Sequence, residues 1–397
     1  MSLRATRLAL ALLLLPSPAA AYEFTEDVEA FGYAQVWLTL YQQMEEADEL
    51  YQSLSRDPAA TSTSGLSINR ARLGLRVKLI DGWLRFFGQL KLERDPSLLD
   101  AVFSLHVADW LEIGVGQRKI PSTYENLTYT WLLDFIERTT FSTSVADFSL
   151  SRTTYASSLF YGVRSNLRDL GLSVLGRLPL GPLELSYFGM LGNGLGANLF
   201  IGGGTHKEFI ITNAGDFFYG GRLELGLPEV VTLGGHVNYN HHDNIVFNSG
   251  RVVYDLDRLS ASGDLQLVVP GTGLRACGLA GWGRIDDDFD DDGRTDLVYR
   301  GGEGRVVWQL NPLLQRLWWT DFLERHLFEI GARYDNFSSE WNGSGSVVRQ
   351  HTWTFGFTYR YDPYIRAQLN VLIRQTDDPD LPDLDDNVLL LSLQGFV

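Results

Sequence analysis

The chain has 397 residues and a formal net charge of −16, from 33 Lys and Arg against 49 Asp and Glu. Such an acidic balance argues against nucleic-acid binding, which requires a basic surface. The single cysteine, Cys277, excludes an intramolecular disulfide, and with it a small secreted fold held together by disulfides.

The first 21 residues are predicted to be a signal peptide. Arg4 and Arg7 precede an apolar run over residues 8–15, and the small residues behind it end in Ala-Ala-Ala at Ala21. A membrane helix is the alternative, but this run is far shorter than the roughly 18 residues that a spanning helix needs. We therefore expect export, cleavage after Ala21 and a mature chain, residues 22–397, that forms one domain.

Residues 66–79, LSINRARLGLRVKL, alternate in character with a period of two. Arg70, Arg72, Arg76 and Lys78 fall on one face of such a strand, and the other face carries an unbroken apolar row. A soluble sheet would turn the cations to water and the leucines to a core. A membrane barrel would do the reverse, with leucines against lipid and arginines lining a pore.

Alternation of this kind predicts sixteen strands joined by turns that are short and long in alternation. The predicted strands are 29–41, 66–79, 83–94, 98–107, 110–119, 168–179, 182–191, 217–226, 230–241, 254–268, 273–285, 296–310, 326–336, 348–361, 364–375 and 386–397. Short turns on one side and long loops on the other are typical of outer-membrane barrels, whereas a soluble β-sandwich of this size would be unusual. Two joins break the rule: residues 95–97 make a short outer loop, and residues 311–325 make a long inner turn, where a short interfacial helix would fit. The sequence therefore predicts an all-β fold, a 16-stranded antiparallel transmembrane β-barrel.

The third outer loop, residues 120–167, is too long for an ordinary connection and is rich in apolar and aromatic side chains. It either folds inward and narrows the pore or forms a contact between subunits. We favour the inward-folding loop, because a barrel of this size leaves an aqueous channel. The candidate residues of such a constriction are Lys119, Tyr124, Glu125, Asp134, Glu137 and Arg138.

Several segments resemble the phosphate-selective porin O and P family of outer-membrane porins. They are RARLGLRVKL (70–79), LLDAVFSL (98–105), IGVGQRKIP (113–121), LLDFIERT (132–139), RDLGLSVLGRL (168–178) and GPLELSYFGMLGNG (181–194). The match is dense over residues 65–195 and looser towards the C-terminus, where only the strand rhythm remains. The resemblance implies a trimeric sixteen-stranded channel that passes anions and whose third loop forms the constriction.

An anion channel needs fixed positive charge along its lumen. The lumen-facing candidates are Arg70, Arg72, Arg76, Lys78, Arg85, Lys91, Arg118, Arg360, Arg366 and Arg374. All but Arg118 lie on predicted strands that are neighbours around the barrel closure. Many of them could instead pair with predicted lumen carboxylates such as Glu93 and Asp100, and the third loop is also partly acidic. A weakly selective channel is therefore the alternative to a preference for phosphate.

An acidic outer join resembles the first part of a calcium-binding loop, with oxygen ligands at alternate positions ahead of a glycine. Its candidate ligands are Asp288, Asp290, Asp292 and Asp296. The carboxylate that closes an EF-hand is missing, because Tyr299 holds that position. A solvated acidic loop is the alternative. Divalent ions shared with lipopolysaccharide would suit these outer carboxylates in either case.

The predicted function is that of a porin, a passive outer-membrane channel for small hydrophilic solutes that prefers anions, with phosphate as one candidate. The sequence contains no CxxC pair, HExxH motif or P-loop, so we predict neither an enzyme nor a required cofactor. The expected partners are outer-membrane lipid, lipopolysaccharide, small anionic solutes and further copies of the chain in a homotrimer. The alternative is a structural or adhesive barrel with a blocked lumen.

Overall fold

The computed structural model describes residues 22–25, 27–41, 64–93, 96–146, 167–194, 217–242, 245–246, 252–253, 256–287, 296–317, 322–341, 347–361, 364–377, 384–385 and 387–396. The predicted signal peptide, residues 1–21, lies outside these residues. So do Asp288, Asp290 and Asp292 of the predicted calcium loop.

Sixteen long strands form the body of the molecule, at the places where the alternation of the sequence predicts them. They are β1 Val28–Tyr41, β2 Gly65–Leu79, β3 Leu84–Lys91, β4 Ser97–Ala108, β5 Leu111–Lys119, β6 Arg168–Leu180, β7 Leu183–Gly192, β8 Phe218–Leu227, β9 Val231–His242, β10 Leu256–Val269, β11 Leu274–Asp287, β12 Asp296–Gln309, β13 His326–Trp341, β14 Val347–Tyr361, β15 Ile365–Asp377 and β16 Val388–Phe396.

The sheet is a closed antiparallel barrel, in which each strand pairs with the next and β16 pairs back with β1. At this closure Ala34 lies opposite Gly395, and Leu38 lies opposite Leu391. A closed sheet leaves no unpaired backbone edge, which is the condition for a sheet to sit in a lipid bilayer. The predicted all-β barrel of sixteen antiparallel strands is confirmed.

The structure also contains short strands and helices outside the sixteen long strands. Tyr22–Thr25 pairs with the start of β1, Ile245–Val246 pairs with Val252–Val253, and Leu384–Asp385 pairs with the end of β15. The helices are α1 Tyr124–Leu127, α2 Thr140–Ala146 and α3 Asn311–Leu317, with 3-10 turns at Thr130–Leu132 and Phe322–Glu324. The predicted short helix in the long inner turn is therefore present as α3. None of the helices that the structure describes is long and apolar enough to cross a bilayer.

Side chains alternate along the strands between an apolar outer face and a polar inner face. On β14, Trp353, Phe355 and Phe357 are exposed, whereas Thr354 and Thr358 are buried. Exposed aromatic residues and buried polar ones are the reverse of what a soluble sheet shows. The outer faces therefore form an apolar surface for lipid, and the polar faces line the lumen.

A β-bulge sets the two faces of β2. Asn69 is an extra residue between the pairs that Ile68 and Arg70 make with β1. Strict alternation would place Leu66 and Ile68 on the same face as the arginines. The bulge turns both of them outward, where they are 75% and 61% exposed. The sequence prediction overlooked this feature, although it placed the arginines on the correct face.

Candidate functional site: the lumen and the segment within it

Residues 120–146, here named the luminal segment, follow β5 and contact inner-face side chains of β8, β9 and β11 to β15. The segment begins with α1, whose N-cap Thr123 accepts a 3.2 Å hydrogen bond from the backbone N–H of Asn126. At the other end of α1, Lys119 Nζ donates to the carbonyl oxygens of residues 126–128 over 2.8 to 3.2 Å. The last residue of β5 thus satisfies the free carbonyls of α1 and fixes where the segment starts.

Glu125 joins the luminal segment to the barrel wall. Its Oε1 lies 3.5 Å from Nη1 of Arg305 on β12 and 3.5 Å from Nη1 of Arg333 on β13. Its Oε2 accepts 2.9 Å hydrogen bonds from the backbone N–H and the hydroxyl of Thr139. Burial alone would raise the pKa of this carboxyl, but the two arginines and the Thr139 hydrogen bond outweigh burial and hold the pKa of Glu125 below its ordinary value. The charged carboxylate acts as a clamp between segment and wall.

Two further carboxylates of the segment pair with wall arginines. Asp134 lies 2.9 Å from Arg275 of β11 and 3.4 Å from Arg305. Glu137 lies 3.7 Å from Arg374 of β15. Each acidic residue that the sequence assigns to the constriction is therefore paired with an arginine of the barrel wall.

Arg366 of β15 holds the middle of the segment. Its Nη1 and Nη2 donate to the carbonyl oxygens of Trp131 and Leu133 over 2.6 and 2.5 Å, and Gln368 donates to the carbonyl of Asp134 over 3.1 Å. The sequence places Arg366 among the pore-lining cations. The structure puts it on the inner wall, as its parity indicates, but the segment leaves it only 1% exposed.

Of the remaining candidates for the constriction, Arg138 makes contacts within the segment and Tyr124 contacts the wall. Arg138 donates from Nε to the carbonyl of Glu125 and from Nη2 to the carbonyl of Thr128, both over 3.2 Å. The guanidinium of Arg305 lies 5.0 Å from the ring centroid of Tyr124, within cation–π range. All six residues that the sequence singles out therefore either hold the segment together or fix it to the wall.

Aromatic side chains of the segment lie where the wall has glycine. Phe135 is 2% exposed and packs over Gly331 and Gly356, where an added Cβ would lie 3.2 and 3.0 Å from its ring. Phe141 is fully buried over Gly301, where an added Cβ would lie 2.7 Å from the Cβ of Phe141. The glycines make recesses in the inner wall that receive these rings.

An apolar contact explains the one break in the alternation of β15. Leu372 falls on the polar face of that strand in the sequence, yet it is 1% exposed. It lies in a buried cluster with Trp37 of β1, Leu390 of β16 and Ile136 of the segment. Leu372 is thus part of a dry docking point for the segment inside an otherwise polar lumen.

Arg70, Arg72 and Arg76 of β2 have partners on the neighbouring strand β1 or just after β3. Arg72 Nη1 lies 2.5 Å from Glu93, and Arg76 Nη1 lies 2.6 Å from Glu29. Arg70 donates a 3.0 Å hydrogen bond to a glutamine side chain of β1. The alternative interpretation, in which luminal arginines pair with luminal carboxylates, therefore describes Arg72 and Arg76.

Two other predicted cations lie beside groups of the same charge. Lys91 is opposite Arg72 in the pairing of β3 with β2. Arg360 is opposite Arg366 in the pairing of β14 with β15. Neither position offers a carboxylate directly across the strand pair.

A cavity of about 670 Å³ remains between the luminal segment, β1 to β5 and β7. Its charged lining residues are Arg76, Lys78, Arg85, Arg118, Lys119, Asp27, Glu29, Asp100 and Glu112. Asp100 is taken up by Arg168, whose Nε and Nη2 lie 2.9 and 2.8 Å from its two oxygens. Within the part of the chain that the structure describes, no carboxylate forms an ion pair with Arg85, Arg118 or Lys119.

Several luminal arginines escaped the sequence prediction, which concentrated on the strands near the closure. They are Arg168, Arg222, Arg258, Arg275, Arg305 and Arg333. Parity could have found some of them, because Arg333 shares a face of β13 with Glu329 and Asp335, both of which alternation assigns to the lumen. These arginines also have partners in the lumen: Arg222 forms a two-point ion pair with Asp264 over 2.7 and 2.9 Å.

The predicted calcium site is represented only by Asp296, the first residue of β12. Over the described ranges, no group of three or more His, Cys, Asp or Glu side chains is placed to hold a metal ion. The calcium interpretation therefore stays a prediction.

No family model and no curated protein sequence matches this chain. Solved structures do. The anion-selective porin from Comamonas acidovorans has a TM-score of 0.58 at 12% identity, over 93% of this chain and 99% of that one. The outer membrane channel DcaP of Acinetobacter baumannii has a TM-score of 0.55 at 12% identity, over 95% and 100%. The trimer form of OmpT, an outer membrane protein of Vibrio cholerae, has a TM-score of 0.55 at 8% identity, over 93% and 99%.

Similarity at such low identity concerns the fold. It agrees with the closed antiparallel sheet, the apolar outer surface and the polar lumen. The chain is therefore a sixteen-stranded β-barrel of the bacterial outer membrane, with the fold of the porins.

Proposed function

We propose that this chain is a passive channel for small hydrophilic solutes with a preference for anions. The observation that carries the proposal is the cavity beside β1 to β5, where Arg85, Arg118 and Lys119 have no ion-pair partner among the described carboxylates. An excess of positive charge in a narrow passage with low-dielectric walls concentrates anions and repels cations.

The cations extend along the cavity rather than forming one cluster. Lys78 and Arg85 flank the short turn between β2 and β3, whereas Lys119 lies at the luminal segment. An anion in the cavity would therefore meet positive charge from the mouth to the narrowing. Weak binding at several successive points allows an ion to enter and also to leave.

Phosphate is one solute that these residues would accept. The guanidinium fork of arginine binds oxyanions through two parallel hydrogen bonds, and it stays protonated. Glu112 and Asp27 also line the cavity and weaken its positive field. We therefore propose general anion preference as the main property and phosphate as one member of the class.

A barrel with a blocked lumen, serving structure or adhesion, is the second candidate, and one observation favours it. The luminal segment packs against β11 to β15 so closely that Phe135, Phe141 and Arg366 are almost completely buried. In this alternative the cavity beside β1 to β5 is a closed pocket, and no solute passes.

Conductance of the purified protein in planar lipid bilayers separates the two candidates. We expect discrete steps of current in KCl and, in a salt gradient, a permeability ratio of chloride to potassium above one. Absence of steps from protein whose barrel is folded, as judged by slower migration after heating in SDS gels, would favour the blocked barrel. A ratio below one would contradict the anion preference.

Four further properties belong to the proposal. We infer that residues 1–21 are removed on export and that the acidic outer join, with Asp288 to Asp296, holds calcium or other divalent ions shared with lipopolysaccharide.

We also infer a homotrimer, and transport without any enzymatic step. The trimer form of OmpT and the name of the anion-selective porin support assembly and solute class only through a shared fold. Native mass spectrometry of the detergent-solubilised protein tests the trimer.

A further inference from the structure

Four aromatic rings form a continuous row beside the cations of the cavity. Phe87 of β3 stacks on Phe31 of β1, with centroids 6.1 Å apart and planes inclined by 8°. Phe31 lies 6.2 Å from Trp131 of the luminal segment, and Trp131 stacks on Tyr129 at 4.4 Å and 14°. Both ends of the row, Phe87 and Tyr129, line the cavity.

The wall is shaped to hold this row. Gly74 of β2 has no side chain where the ring of Phe31 lies, and an added Cβ would overlap that ring. The guanidinium of Arg76 covers Phe31, 4.4 Å from its centroid. Phe31 is therefore held in place by the neighbouring strand β2. Tyr129, at one end of the row, remains 37% exposed.

Cations flank the exposed ring. Lys119 Nζ lies 5.4 Å from the centroid of Tyr129. Arg118, the preceding residue, lies over the ring of Phe188 at 5.0 Å and also lines the cavity. A guanidinium has five N–H donors. Among the described residues, the acceptor for Arg118 is Ser173 Oγ at 3.0 Å, which leaves donors for an anionic solute.

An inorganic anion would gain nothing from the aromatic row, because a hydrated ion has no apolar face to bury. A solute that combines a flat ring with a carboxylate would use both features. Its ring would stack on Tyr129 or Phe87, and its carboxylate would accept hydrogen bonds from Arg118. Tyr129, 37% exposed at the cavity, offers a face on which such a ring would stack.

We propose that the cavity is a binding site for aromatic carboxylates, in which Tyr129 and Phe87 bind the ring and Arg118 binds the carboxylate. The proposal rests on the proposed channel function, and it narrows the solute class at the same site. The rival explanation is that the rings only pack the luminal segment against β1 and β3.

Benzoate and cyclohexanecarboxylate make a matched pair of probes, because they carry the same charge and have similar size but only benzoate is aromatic. We expect benzoate to bind about fivefold more tightly than cyclohexanecarboxylate, the difference that an aromatic stacking contact supplies. Titration calorimetry of the detergent-solubilised protein gives this ratio without reference to conduction. Reversible block of chloride current in bilayers gives it in the membrane.

Substitutions at single residues test which side chains bind the ring and which binds the carboxylate. Tyr129→Leu and Phe87→Leu should each lower the ratio, and the double variant should bring it close to one, whereas Tyr219→Leu, on the exposed outer face of β8, should leave it unchanged. Arg118→Gln should weaken both carboxylates by a similar factor. The affinities for benzoate and cyclohexanecarboxylate are compared on the wild-type protein, so the proposal can be tested even if a variant fails to fold.

The outcomes separate the two proposals. Chloride current with equal affinity for the two carboxylates, or with no binding of either, overturns the aromatic site and leaves the channel intact. Absence of any current overturns the channel, and calorimetry then still decides whether the ring site exists.

Discussion

Arg305 on β12 and Arg333 on β13 lie directly opposite each other across the sheet, and they are 4% and 2% exposed. Like charges in such a position repel each other. The Glu125 carboxylate, 3.5 Å from both guanidinium groups, compensates that repulsion from the luminal segment. Wall carboxylates also lie near each arginine, Glu303 at 3.7 Å from Arg305 and Asp335 at 3.5 Å from Arg333, but Glu125 is the carboxylate through which both arginines hold the segment.

Replacing Glu125 by Gln should loosen the luminal segment. The change leaves two buried arginines opposite each other without their shared anion, and breaking a buried pair typically costs roughly 3–5 kcal/mol. We expect a lower thermal midpoint for barrel unfolding and faster proteolysis within residues 120–146. Glu340→Gln, at an exposed position of β13, is the matched control. A midpoint equal to that of the control would show that Glu125 is not a clamp.

Acid should release the same clamp, but only at low pH. The folded pKa of Glu125 is lowered from 4.5, so its stabilising contribution is complete above pH 4.5 and is lost as the pH falls through the lowered pKa. Proteolysis of the segment with an acid-active protease should therefore accelerate only below pH 4.5. The Glu125→Gln variant should lack this transition; a persistent transition would assign it to another carboxyl.

Arg366→Met tests the second attachment point. The change removes the donors to the carbonyls of Trp131 and Leu133, and of these two only Leu133 keeps another donor among the described residues, Gln368 Nε2 at 3.5 Å; losing a hydrogen bond to a charged group typically costs about 1.5–3 kcal/mol. We expect larger and noisier single-channel currents, because the middle of the segment would move. Arg349→Met, at an exposed position of β14, should behave like the wild type. Unchanged current in the Arg366 variant would mean that this part of the segment does not limit the passage.

The charges of the cavity should set ion preference. Arg85→Gln and Arg118→Gln together remove two of the cations that lack an ion-pair partner among the described carboxylates. We expect the permeability ratio of chloride to potassium to fall severalfold and the conductance in dilute KCl to fall with it, since screening hides the effect at high salt. Arg300→Gln together with Arg349→Gln, at exposed positions of β12 and β14, is the control with the same loss of two charges. A ratio that stays at the wild-type value places the anion path elsewhere.

Deleting Asn69 should prevent assembly of the barrel. Without the bulge, either the arginines of β2 or Leu66 and Ile68 must point to the wrong face, since a shift of one residue inverts every side chain before it. We expect loss of the heat-modifiable folded form in SDS gels. Deletion of Thr63, in the join before β2, is the control and should be tolerated. A folded Asn69 deletion would mean that the bulge is not needed for the register.

Strand number and inner face were predictable from the sequence, because a period of two extends through β14 and β15 almost without a break. Leu372 was the break, and it proved to mark a contact with Ile136 that alternation cannot describe. The pair Arg305 and Arg333 also escaped prediction, because it depends on the register between two strands and on a carboxylate about 180 residues away in the chain. Local pattern gives the face of a residue, whereas partners across the lumen require the closed barrel.

The attachment of the luminal segment also bears on the order of assembly. Its arginine anchors on the wall, from Arg222 to Arg374, follow it in the chain, and Arg366 lies 233 residues beyond Leu133. A nascent barrel that has inserted only its first strands offers the segment its contacts with β1 and Lys119, but none of the arginine anchors on β8 to β15. We therefore expect the segment to become firmly attached only late in biogenesis, once the arginines of β11 to β15 are in place.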